Sequence, residues 1–89
     1  MAEEKDYLAL LTMLIQKHMV VLGPKIALEK AREVSGLNLD EKGNTVSITG
    51  SGNLILQDLV EGYFELSGEV SRYFAKKFLA KFPDIKLKF

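Results

Sequence analysis

The stretch LILQDLVEGYFELSGEVSRYFAKKFLAKF, residues 54–82, decides the fold. Leu56, Leu59, Val60, Tyr63, Phe64, Leu66, Val70, Phe74, Phe78, Leu79 and Phe82 recur at three- and four-residue intervals, the spacing that lays apolar side chains along one face of a helix. Two features interrupt that helix. Ser67-Gly68-Glu69 is a weak point, because glycine in a helix interior costs about 1 kcal/mol relative to alanine, so the spacing predicts a bend there. Pro83-Asp84 then ends the second piece. Upstream, Gly50-Ser51-Gly52-Asn53 is loop chemistry in which Ser51 or Asn53 caps the first turn.

A stripe of this length needs other elements to cover it, and the N-terminal half supplies them. Tyr7, Leu8, Leu11, Leu14, Ile15, His18, Met19 and Leu22 give a helix over about Glu4 to Leu22, with acidic residues in its first turn where the helix dipole favours them. Gly23-Pro24 stops it and starts a second helix, since proline is well accepted as a first helical residue. That helix carries Ile26, Ala27, Leu28, Ala31 and Val34 and ends near Val34 or Ser35, with Gly36 as its exit.

Leu37-Asn38-Leu39 and Thr45-Val46-Ser47-Ile48-Thr49 alternate apolar and polar around the turn residues 40–44. They read as a β-hairpin whose inner face is Leu37, Leu39, Val46 and Ile48. Two short strands are marginal alone. Ile85-Lys86-Leu87-Lys88-Phe89 also alternates and is expected to add a third, C-terminal strand at the hairpin edge. The expected fold is therefore α+β: two bent amphipathic helical arms packed on a small antiparallel sheet, in one compact domain spanning residues 1–89.

The two arms resemble each other. An offset of forty-five residues sets Leu14 beside Leu59, Ile15 beside Val60, His18 beside Tyr63, Met19 beside Phe64 and Gly23 beside Gly68, so each half reads as helix, glycine, helix.

Composition narrows the chemistry. A hydrophobic fraction of 47% with 27% charged residues is that of a folding chain. Without cysteine there is no disulfide framework and no thiolate metal site, which points to a reducing, cytoplasmic setting and to stability from apolar burial or self-association. The run from Tyr7 to Leu22 is preceded by Glu3, Glu4 and Asp6 and broken by Gln16, Lys17 and His18, a pattern unlike a secretory signal or a membrane span.

Catalysis normally asks for a nucleophile with its base, a tuned carboxylate pair or a metal. The single histidine, His18, has no aspartate or serine at helical spacing and reads as a structural or dimer-contact residue. Zinc would need several His or Cys ligands. The segment 40–44 lacks the alternating ligands of a calcium loop, and residues 50–53 lack the lysine of a phosphate loop. No catalytic residue, cofactor or metal is expected, and the chain reads as a non-enzyme.

What remains is interaction. Leu10, Met13, Val20 and Val21 widen the apolar face of the first helix beyond one buried stripe, so a homodimer seam is expected at Leu10, Met13, His18, Val20 and Val21. Twelve basic residues cancel twelve acidic ones overall, yet the acids concentrate between Asp40 and Glu69 and the bases after Arg72. Arg72, Lys76, Lys77 and Lys81 thus form a basic docking surface for a protein partner. Two other classes follow from the same residues. Tyr63, Phe64, Phe74 and Phe78 could wall an apolar-ligand or lipid cavity, and the basic helix could meet nucleic acid, which zero net charge and only two arginines disfavour.

Overall fold

The computed structural model describes residues 2–88, and within them the order is α1 (Glu4–Leu22), α2 (Pro24–Arg32), β1 (Leu37–Leu39), β2 (Thr45–Ile48), α3 (Gly52–Ser67) and α4 (Glu69–Leu79). The fold is α+β, with four helices and a two-stranded antiparallel sheet among the described residues. Each arm breaks where the sequence indicates. Gly23 (φ +89°) separates α1 from α2 and Gly68 (φ +53°) separates α3 from α4, both in the left-handed region that glycine enters without a Cβ penalty. Ser51 caps α3 by accepting from the Leu54 amide at 3.3 Å. Both second helices stop earlier than their apolar spacing suggests, at Arg32 and at Leu79.

α1 is the hub. It packs on α2, α3, α4 and β2, while α3 also packs on α2 and α4. Leu10, Leu11, Leu14 and Ile15 of α1 close with Ile55, Leu56, Leu59 and Val60 of α3 into one apolar cluster, which α2 joins through Ala27, Leu28 and Ala31. The five pairs related by the forty-five-residue offset match in burial as well: Leu14 and Leu59, Ile15 and Val60, and His18 and Tyr63 are buried, and Met19 and Phe64, like Gly23 and Gly68, are half-buried.

The hairpin departs from strict alternation. Asn38 pairs with Ser47 but Leu39 pairs with Thr45, so Val46 is an extra residue on β2. That bulge turns Thr45 inward and leaves Val46 63% exposed, correcting its expected place on the inner face. The Thr45 amide donates to the Thr12 hydroxyl of α1 at 2.8 Å, which fixes the hairpin on that helix and rewards the irregular register. Gln16, one turn on, donates to the Lys42 carbonyl at 3.3 Å and to Asn44 at 3.0 Å.

The expected C-terminal strand does not form. The described part of that segment, Ile85–Lys88, runs beside α3 and pairs with helix side chains instead of a strand edge. Phe89 lies outside the described residues. Ile85 is buried and takes the core position that its alternation promised.

Candidate functional site

A polar cluster joins α1, α3 and α4 in the core. His18 and Tyr63, the offset-related pair, stack with ring centroids 3.8 Å apart and planes 6° from parallel. Each reaches the second helix of the opposite arm. The Tyr63 hydroxyl donates to the Ala27 carbonyl of α2 at 2.9 Å, and His18 Nε2 lies 2.7 Å from Ser71 Oγ of α4.

The protonation pattern follows from the partners. His18 Nδ1 lies 2.7 Å from the Leu14 carbonyl oxygen, which only accepts, so Nδ1 carries the proton and Nε2 accepts from the Ser71 hydroxyl. Ser71 Oγ is also 3.0 Å from the Tyr63 carbonyl oxygen, but one hydroxyl proton serves one acceptor at a time. Ser67, a turn earlier, completes the group by bonding to Ser71. Burial pushes the His18 pKa below its usual 6.5, with the Leu14 carbonyl opposing that shift, and burial pushes the Tyr63 phenol upward.

His18 and Ser71 therefore stand as a base and a hydroxyl in contact, yet both are 1% exposed and packed in the core. Their geometry joins α1 to α4. The sequence reading placed His18 on the helix and missed Ser71, fifty-three residues away. A signal was available, since Ser67 and Ser71 fall four apart on the inner side of the apolar stripe, where a polar side chain needs a buried partner.

The expected seam residues separate into two groups. Leu10 and His18 are buried by the chain's own helices and cannot line a seam with another copy, which corrects those two assignments. Met13 is half-buried, whereas Val20 and Val21 stand 79% and 40% exposed at the C-terminal end of α1. On neighbouring α4, Val70 and Tyr73 are exposed too.

Arg72, Lys76 and Lys77 lie on α4, with Arg72 half-buried, and Lys81 follows its end. Arg72 pairs with Glu69 at 3.5 Å and sits over the Phe64 ring, Lys77 sits over Tyr73, and Lys76 and Lys81 are exposed. The aromatics suggested as ligand-cavity walls are used in packing: Phe74 stacks on Phe78 and carries the Lys17 ammonium 4.7 Å from its ring, and Tyr63 stacks on His18. An open groove of about 350 Å³ between α2 and α3 is lined by Glu33, Asp58, Glu61 and Glu65 around Lys30. Lys30 bridges to Glu65 at 3.3 Å and to Glu33 at 3.6 Å; the Glu65 hydrogen bond chiefly raises its pKa.

In the hairpin turn, Asp40 Oδ1 accepts from the Lys42 and Asn44 amides, both at 2.9 Å, and Oδ2 from the Asn44 side chain at 3.0 Å. Its carboxylate is committed to shaping the turn, and these bonds hold its pKa below the usual range. Among the described residues no helix is long and apolar enough to cross a membrane. The chain matches no protein-family model, and no curated protein or solved structure matches it.

Proposed function

We propose that the chain is a small non-enzymatic interaction module that associates with itself through the exposed end of α1. The observation that carries this reading is Val20 and Val21, left uncovered on a helix whose other faces already pack on α2, α3, α4 and β2. Covering apolar surface is worth about 25 cal/mol per Å², so a second copy placed there gains what the single chain cannot. The base–hydroxyl pair of His18 and Ser71 is sealed in the core and is assigned a structural role. Arg72, Lys76, Lys77 and Lys81 are the face offered to a further protein partner. A cytoplasmic setting goes with a chain that holds together without disulfides.

The double substitution Val20→Lys with Val21→Lys tests the seam. Light scattering is expected to report a dimer for the parent and a monomer for the variant, with unchanged far-ultraviolet circular dichroism. A variant that keeps the mass of a dimeric parent rules out this end of α1 as the seam.

A further inference from the structure

Ile85–Lys88 is seated on α3 as an extended segment read by side-chain amides. Gln57 meets Lys88 in both directions: the Lys88 amide donates to Oε1 at 2.9 Å, and Nε2 donates to the Lys88 carbonyl at 2.7 Å. Asn53, one turn earlier, donates from Nδ2 to the Lys86 carbonyl at 3.1 Å. The spacing explains the fit. Four helical residues rise about 6 Å and two extended residues about 6.6 Å, so amides at i and i+4 of a helix meet alternate carbonyls of an extended chain. Glu61 steadies the reader by accepting from Gln57 Nε2 at 3.1 Å.

Apart from Ile85, which is buried, and Leu87, which is half-buried against the core, these contacts are to backbone. The segment is joined to α4 through the exposed residues Ala80, Lys81, Pro83 and Asp84, with half-buried Phe82 among them. Releasing it breaks the hydrogen bonds to Asn53 and Gln57 and uncovers Ile85 and half-buried Leu87, a local opening far smaller than global unfolding. Alongside runs a groove of about 360 Å³ with Leu54, 67% exposed, on its wall.

We infer that this face of α3 is a docking site for the C-terminal segment of a second copy, and that two chains associate by exchanging residues 83–88. The inference rests on the self-association reading and gives it a route. Exchange breaks and remakes identical contacts, so the outcome turns on the additional surface that two copies bury, which the self-association reading places at Val20 and Val21.

The full chain has no cysteine, so Leu54→Cys with Lys86→Cys places one thiol on each side of the groove. A short bis-maleimide is added across a concentration series, denaturing electrophoresis resolves linked monomer from linked dimer, and peptide mapping identifies the joined residues. Exchange predicts dimers linked from residue 54 to residue 86, their ratio to linked monomer rising about tenfold for a tenfold higher concentration in the dilute limit. Linked monomer at every concentration, while the unmodified chain sediments as a dimer, overturns exchange and leaves self-association standing. Linked monomer with a monomeric unmodified chain overturns both. No 54-to-86 link in either species overturns the seat itself.

Discussion

Replacing His18 with phenylalanine keeps a flat ring against Tyr63 and removes both ring nitrogens. Two hydrogen bonds go, those to Leu14 and to Ser71. A buried hydrogen bond is worth about 0.5–1.5 kcal/mol net. The Leu14 carbonyl keeps its α-helical ladder bond, and the Ser71 hydroxyl turns to the Tyr63 carbonyl 3.0 Å away, so little is left unpaired. His18→Phe should therefore cost about 1–2 kcal/mol at neutral pH, well short of the 3–5 kcal/mol typical of truncating a large core ring to alanine.

The pH dependence is the sharper part of this prediction. Burial holds the folded-state pKa of His18 below the 6.5 of the unfolded chain. Between those two values the unfolded state binds more protons. Stability contributed by the neutral ring is thus complete above pH 6.5 and is lost as pH falls, by up to about 1.4 kcal/mol per pH unit, until the folded-state pKa is passed. Urea unfolding of parent and His18→Phe between pH ~7.5 and ~5 isolates this contribution, because titrations common to both chains cancel in the difference. The parent's advantage should shrink as the solution is acidified. Parallel curves, or a parent that gains on the variant in acid, would refute a buried neutral histidine.

Three further outcomes follow from single side chains. Gly36→Ala puts a β-carbon against the Thr49 carbonyl oxygen at φ +85°, whereas Gly68→Ala enters open space at φ +53°. The second should cost about 1–2 kcal/mol and the first clearly more by thermal or urea unfolding, and equal costs would show that the Gly36 clash relaxes freely. Gln57→Ala removes both Lys88 contacts and should abolish hydrogen-exchange protection at the Lys88 amide while α3 stays protected. Thr12→Val leaves the Thr45 amide without its acceptor and should cost about 1–3 kcal/mol; a neutral result would mean the hairpin is held elsewhere.

The helical half of the fold is legible in the sequence because its signals are local. Gly23-Pro24 and Ser67-Gly68 mark the two breaks, Ser51 marks the α3 cap, and turn residues mark the hairpin. Signals that depend on distant partners are not. Alternation over Ile85–Phe89 fits a strand, but only the fold reveals that Asn53 and Gln57 offer its backbone an edge made of side chains. The Val46 bulge depends on Thr12, thirty-three residues from Thr45. For the candidate seam, periodicity shows that α1 has more apolar surface than one stripe, but not which part its own neighbours cover. Leu10 and His18 turn out buried, and Val20 and Val21 remain outside. The offset that pairs His18 with Tyr63 could not by itself distinguish chance from a shared plan; their stacking makes the pair a physical contact.

Sedimentation equilibrium of the unmodified chain from low to high micromolar concentration tests the central claim most directly. Self-association through uncovered apolar surface predicts an average mass that climbs from that of one chain, 10.0 kDa, toward twice that value as concentration rises. A mass that stays at a single chain throughout would contradict it.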